Sequence, residues 1–401
     1  MKTSISLEEA LSLVVEGLTA LGVEWVSAAG ALGRTLAEDL TAPLHQPPFD
    51  RSPLDGYALN STDTAGANQA HPTLLTVVDT LYAGDVARIP VEPGQAVRIM
   101  TGAMIPQGAD CVIRQEDVVG DNNQISVFQT LRSFENYCFQ GEDFAAGQVL
   151  LPAGTRMDAA AVGVLASAGI TVVPVHRRPS VCVLCTGDEV VPPETHPLPP
   201  GKIYGANGPL LLARLAELGI LQTTCALLPD DPEAMAEALR TSTGDLVITT
   251  GGVSVGAKDI LHEVLPLAGA EQVFWRVKLK PGTPVLFSRM AGKPVLSLSG
   301  NPFAAAATFE LLARPILAAL TGEPGWMPER REAILDTPFE KEGGYRRFLR
   351  GRYREGRVAL PAGHSAGQLA SLVGCNCLVE VPEDSPPLPA GTKVSVLLLH
   401  R

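Results

Sequence analysis

Three short segments of this chain place glycines, hydroxyls and acids directly after apolar, strand-like runs, where loops at the end of a parallel sheet hold ligands. In VLCTGDEVV the run ends in Thr186, Gly187, Asp188 and Glu189. Two carboxylates there suit a metal ion or a ligand donor, and equally a solvated turn. In DLVITTGGVSVGAKDI, Gly251, Gly252 and Gly256 stand among the hydroxyls of Thr249, Thr250 and Ser254. Such a loop can turn backbone N–H groups toward a phosphate or oxyanion, and the helix behind it adds its dipole. Asp259 opens that helix either as a cap or as a metal ligand. In VLSLSGNPFAAAA, Asn301 and Pro302 suit the cap and first position of a helix, so Ser299 and Gly300 bind an anion only in company with the other loops.

Charge is supplied by FWRVKLKPGTP. Read as a strand, it puts Arg276, Lys278 and Lys280 on one face and Trp275, Val277 and Leu279 on the other. Pro281 and Gly282 then end the strand, leaving the Lys280 ammonium at the sheet edge beside the loops. Further acids stand at Asp55 in LDGYAL, at Glu142 and Asp143 in GED, and at Asp230 and Asp231 in LPDDPEA, where they open a helix and suit N-capping. Arg350 lies in FLRG among other arginines, and Ser371 has no local signal. A rival reading takes Gly252, Ser254 and Gly256 as the GxSxG elbow of a serine hydrolase. That mechanism needs an acid and a histidine in order. His262 follows directly on the same helix, His364 falls in another segment and His400 is penultimate, so the elbow lacks its partners.

The elements that must carry these groups change character along the chain. Ser6 through Leu21 has a capping box at Ser6 and Glu9 and apolar residues at helical spacing, and a second short helix is expected around Ala31 to Leu40. Proline-rich TAPLHQPPFDRSPLDG interrupts the pattern, and short β-type runs fill the stretch to about 145. Asp158 to Ala168 reads as a helix. From about 178, strands apolar throughout alternate with helices, the mark of a parallel α/β sheet. After PGWMP the chain is β-like to its end. The expected fold is therefore α/β and β multidomain: a central three-layer parallel α/β domain at 178–325, an inserted β domain at 46–143, a discontinuous helical or linker domain at 1–45 plus 144–177, and a barrel-like C-terminal β domain at 326–401.

Composition bounds the function. At 401 residues, 46% hydrophobic and 18% charged, the chain is long enough for several cores and too apolar to be disordered. A net charge of −12 argues against nucleic-acid or acidic-membrane partners, so any anion must meet local positive charge. Glu8, Glu9 and Glu16 break the N-terminal region and no run reaches ~20 apolar residues, so neither a leader nor an anchor is expected, and the location is cytoplasmic. Seven cysteines fit free thiols. Cys182 and Cys185 point to opposite sheet faces, and Cys375 and Cys377 lack partners for a metal.

In series, PPFDRSPLDGYAL, RIMTGAMIPQGAD, GED, TGDE, VITTGGVSVGAKD, KPGTP, SGNP and FLRG resemble the molybdopterin molybdenumtransferases, the MoeA family and the E domain of gephyrin. The resemblance spans Ser6 to about Val396. It implies an elongated homodimer of four-domain subunits with a cleft between the α/β domain of one and the β domains of the other. The implied reaction inserts molybdenum from molybdate into the dithiolene of adenylylated molybdopterin, releasing AMP with the help of a divalent cation such as Mg²⁺. By that similarity Asp55, Thr101, Asp143, Glu189, Asp231, Asp259 and Lys280 match positions tied to activity. Glu189, Asp231 and Asp259 would hold the metal, and Lys280, Pro281, Arg350 and Ser371 would line the molybdate site. Thr250, Gly251, Gly252, Ser254, Gly256, Arg276, Ser299, Gly300, Asn301 and Pro302 would bind the pterin substrate. The upstream adenylyltransferase and acceptor molybdoenzymes are possible physical partners, and a non-catalytic pterin-binding scaffold is the alternative on the same fold. Three departures stand out: Cys138 and Gln140 where some relatives carry arginines, Ser299 where many have proline, and Arg276 where some have lysine.

Overall fold

A computed structural model describes residues 1–121, 123–253, 260–363 and 365–399. The chain forms two compact units, one of Met1–Glu24 with His176–Arg401 and one of Trp25–Val175. In the first, a seven-stranded sheet runs in the order Lys2–Ile5, Glu271–Val277, Leu286–Met290, Lys293–Leu298, Leu246–Thr250, Val181–Thr186, Thr223–Leu228. The last four are mutually parallel. Alternation along Val181–Thr186 sends Val181 and Val183 into one apolar cluster and Cys182 and Leu184 into another, so helices cover both faces and three layers result. The strand ends at Thr186, Thr250 and Leu298 therefore all open on one edge.

Residues 1–24 lie in this compact unit, where Lys2–Ile5 pairs parallel with Glu271–Val277. The first helix is Leu7–Val15, shorter than read. Ser6 Oγ accepts from the Glu9 N–H at 3.1 Å, and the chain turns at Gly17, whose φ is +67°. The helix Pro302–Thr321 is long and apolar enough to cross a membrane, yet 89% of that stretch is buried inside the protein, which makes it a core helix.

The C-terminal strands close into a five-stranded barrel: Arg346–Arg354, Arg357–Ala359, Arg330–Leu335, Lys393–Leu398 and Cys377–Val381, the last pairing back to the first. Closure removes the sheet edges. The two-residue strand Leu279–Lys280 leaves the large sheet and pairs with Arg346–Arg354 on the barrel, which brings KPGTP to the barrel's side.

The second unit contains a six-stranded sheet, in the order Cys111–Arg114, Gly56–Leu59, Gln95–Ile99, Thr73–Leu81, Gln124–Val127, Val118–Gly120, and the helix Ala159–Ser167, capped by Asp158. The helix expected around Ala31 to Leu40 is only a short turn, Ala29–Ala31. Gly33 takes a φ of +74°, and the N–H groups of Gly33 and Leu36 donate to the Met157 and Thr155 carbonyls instead of to their own turn.

Candidate active site

The three loops read from sequence converge. Thr186, Gly187 and Glu189 of the first, Thr250, Gly251 and Gly252 of the second, and Ser299, Gly300, Asn301 and Pro302 of the third line one cavity of about 1050 Å³. Gly251 has a φ of +100°, and a Cβ there would stand 2.6 Å from the Thr186 carbonyl oxygen, so only glycine lets the first two loops touch. Gly300 lies beside Gly251, an added Cβ there meeting the Gly251 Cα at 3.6 Å, an ordinary van der Waals contact. Asn301 occupies the cap position of the helix beginning at Pro302, but its side chain makes no capping bond. The capping explanation of Asn301 thus gives way to a free amide on the cavity wall. Ser299, at the place many relatives hold with proline, accepts from the Asn301 N–H at 3.3 Å through Oγ and shapes the turn that way. Ser254, Gly256 and Asp259, with the hydrolase reading that rests on the first two, lie outside the described residues.

A second cavity, of about 280 Å³, adjoins the first and shares Pro284, Ser299 and Asn301 with it. Lys280, Pro281, Lys341 and Arg347 line it. The Lys280 Nζ lies 4.2 Å from the centre of the Tyr345 ring. A Cβ on Gly282 would meet Thr308 Cγ2 at 2.3 Å, so this turn packs directly on the core helix. Arg276 lines neither cavity: its φ of +66° breaks the strand alternation assumed from sequence, and its guanidinium stacks 4.3 Å above Trp275.

Arg350 and Ser371 line neither cavity. Arg350 is fully buried, stacks 3.8 Å over the Phe303 ring, and donates to the carbonyls of Gln368 and Ser365. Ser371 Oγ donates to the same Gln368 carbonyl at 3.2 Å. The two residues thus meet on the loop that supplies Ala366 to the small cavity and Gly367 to the large one.

In the Trp25–Val175 unit, three further motifs come together. Both the N–H and the hydroxyl of Thr101 donate to Asp55 Oδ1 at 2.7 Å, which holds the Asp55 carboxyl below its ordinary range. The adjoining 46–52 segment bonds on one side to Ala103 and Ile105 and on the other to Gln140, Gly141 and Asp143. Gln140, a departure from relatives with arginine nearby, donates its side-chain amide to the Pro48 carbonyl at 2.7 Å. Asp143 is exposed. A Cβ at Gly56, next to Asp55, would fall 1.9 Å from the Ile113 carbonyl oxygen, which accounts for glycine in LDGYAL.

Comparison with known proteins agrees with this arrangement. Residues 5–169 match the MoeA N-terminal region (domain I and II), 182–319 a probable molybdopterin binding domain, and 332–399 the MoeA C-terminal region (domain IV). Molybdopterin molybdenumtransferases from Bacillus subtilis and Staphylococcus epidermidis are 35% and 34% identical, over 100% and 99% of this chain and 95% and 96% of theirs. The chain belongs to the MoeA family. A solved molybdopterin biosynthesis MoeA protein from Pyrococcus horikoshii superimposes with a TM-score of 0.89 at 32% identity, covering 99% of this chain and 100% of that one.

Sequence reasoning missed two groups in this MoeA-family cavity. Asn207 Nδ2 donates to Thr250 Oγ1 at 2.6 Å and to the Gly300 carbonyl at 2.9 Å, tying the second loop to the third. Among the described residues its Oδ1 is buried without a partner, an acceptor left for a ligand. The residue follows YGA with no glycine cluster or charge to mark it. The other is Asp230, which lines the cavity and exchanges backbone-to-carboxylate bonds with Asp188, at 3.2 and 3.1 Å. Asp231, read as the active acid, spends Oδ1 on capping Pro232–Thr241 through the Ala234 N–H at 2.8 Å.

The cavity floor also holds two thiols, Cys185 and Cys225, on adjacent parallel strands. The interaction between the two thiols holds Cys225 below the ordinary thiol range and pushes Cys185 above it.

Proposed function

We propose that this chain inserts molybdenum from molybdate into the dithiolene of adenylylated molybdopterin, with release of AMP, in the cytoplasm. The observation that carries the reading is the wall shared by the two cavities, at Pro284, Ser299 and Asn301. The larger lies at the upper end of small-molecule sites and suits a nucleotide-linked pterin, whereas the smaller suits an inorganic ion. Ligands bound side by side react without the entropy cost of encounter.

In this reading Gly252 offers its backbone N–H to the pyrophosphate, while Gly251, whose N–H is spent on the Leu298 carbonyl, lets the loops meet, supported by Thr250, Ser254, Gly256, Ser299, Gly300, Asn301 and Pro302. Lys280 and Pro281 receive molybdate, and Arg350 and Ser371 hold the loop that walls both ligands. Among the described residues no cluster of three or more metal-ligating side chains forms. Two carboxylates plus substrate phosphates is a usual Mg²⁺ environment, and Glu189 and Asp230 on the cavity wall, with Asp231 next to Asp230 in sequence and Asp259 following the second loop, fit that donor chemistry. Bound there, Mg²⁺ would neutralise charge on the phosphoanhydride and so assist its cleavage. Asp55, Thr101 and Asp143 act from the Trp25–Val175 unit, supplied by the second subunit of a homodimer whose chains divide into the four segments read from sequence.

Purified chain incubated with adenylylated molybdopterin and Mg²⁺ is expected to release AMP only when molybdate is added, and to deliver cofactor that activates a cofactor-free molybdoenzyme. Tight pterin binding without molybdate-dependent AMP release would establish the scaffold alternative instead.

A further inference from the structure

Arg346–Arg354 pairs in parallel with Leu279–Lys280, in a register that sets Arg347 directly opposite Lys280. Opposed residues project to the same face, and like charges so placed repel. The protein tolerates this without neutralising either cation: among the described residues neither Lys280 nor Arg347 has a carboxylate partner. Arg346, one residue away, shows the usual solution, with both Glu8 and Glu380 on its guanidinium. Among the described residues Arg347 makes one long bond, from Nη2 to the Glu342 carbonyl at 3.4 Å, and its Nε is buried without a partner. Both cations, together with Lys341, line the 280 Å³ cavity. Arg350 lies three residues on, an odd step along a strand, which turns it to the opposite face and into its carbonyl cage.

We infer that Arg347, paired with Lys280, is a direct ligand for a doubly charged tetrahedral oxyanion in the small cavity. The inference rests on the function proposed above for the identity of the ion as molybdate, and not for the existence of the site. Lys280 contributes a point charge and Arg347 a planar fork able to span two oxygens, with the unpartnered Nε among its donors. A dianion between them converts the repulsion into two charge-assisted contacts.

The test is calorimetric titration of the full-length chain with molybdate and, separately, with sulfate, combined with thermal melts free of ligand. Arg347→Ala is expected to weaken molybdate binding roughly 10- to 100-fold, the value of one charge-assisted contact, with Arg347→Lys between it and the wild type. Without ligand, Arg347→Ala is expected to melt no lower than the wild type, since it relieves the repulsion with Lys280; Arg350→Gln is expected to melt lower. Equal affinity of wild type and Arg347→Ala for molybdate overturns the inference and leaves the proposed reaction standing. Sulfate bound as tightly as molybdate, with the same dependence on Arg347, supports the oxyanion site and counts against molybdate as its ion. A lower ligand-free melting temperature for Arg347→Ala with unchanged affinity makes the residue structural and overturns the inference.

Discussion

The two adjoining cavities are built from opposite materials. The large one is lined mostly by backbone and neutral side chains, with Gly251 letting the first two loops touch and Asn207 tying the second to the third. The small one is made of charge: Lys280 from a strand that leaves the sheet, and Arg347 from the barrel strand it joins. A large polar substrate is met by many N–H groups fixed in place, whereas a small dianion is met by side chains whose mutual repulsion it relieves. The difference predicts that damage to the first region spreads into the fold, and damage to the second stays local to one ligand.

The largest effect is expected from Lys280→Ala, which should abolish molybdate-dependent AMP release while leaving adenylylated molybdopterin binding and the melting temperature intact; steady-state assays and titration with the pterin check both halves. A lost pterin affinity would break the separation of the two regions. Gly251→Val is expected to do the reverse, losing pterin binding and also costing about 1–3 kcal/mol of stability, because its Cβ meets the Thr186 carbonyl and its backbone is left-handed. Denaturant unfolding measures the cost. Asn207→Leu should reduce pterin affinity with a comparable stability loss of about 1–3 kcal/mol, most of it from the unpaired Thr250 and Gly300 acceptors, and leave molybdate binding unchanged.

The smallest effect concerns Asp55 in the other unit. Its charged form is favoured by Thr101, so the associated stabilisation is present above the ordinary carboxylate range and lost as pH falls through the lowered pKa. Thr101→Val keeps the N–H donor and removes the hydroxyl, and should move the Asp55 titration, followed by carboxyl-carbon NMR, part of the way back up. A wild-type Asp55 that titrates at its ordinary value would remove the special environment.

Local patterns made the large cavity readable. Glycines, hydroxyls and cap residues after buried strands declare themselves within ten residues or so, and the strand–helix alternation fixes that these loops share one edge. The α/β layer and the barrel were legible for the same reason. Asn207 was not, because its role is a tether between loops distant in sequence, and Asp230 was hidden by its neighbour Asp231, which has the better capping position. Arg276 misled because strand alternation assumes extended backbone, and a single left-handed residue undoes it. Arg347 could not be distinguished from five other arginines in the same stretch, since only the register between Leu279–Lys280 and Arg346–Arg354 puts it opposite Lys280. The pairing of the N-terminal segment was not legible because one short strand, Lys2–Ile5, carries it into a sheet formed almost entirely by residues beyond 180.

The central claim, that pterin and oxyanion occupy neighbouring chambers with one wall between them, is tested most directly by anomalous diffraction from crystals of the full chain soaked with molybdate or its heavier analogue tungstate, with and without adenylylated molybdopterin. The account predicts an anomalous peak in the chamber of Lys280 and Arg347, retained when pterin density fills the chamber of Gly251, Gly252 and Asn207. A peak inside the glycine-lined chamber, or one displaced when the pterin binds, would contradict it.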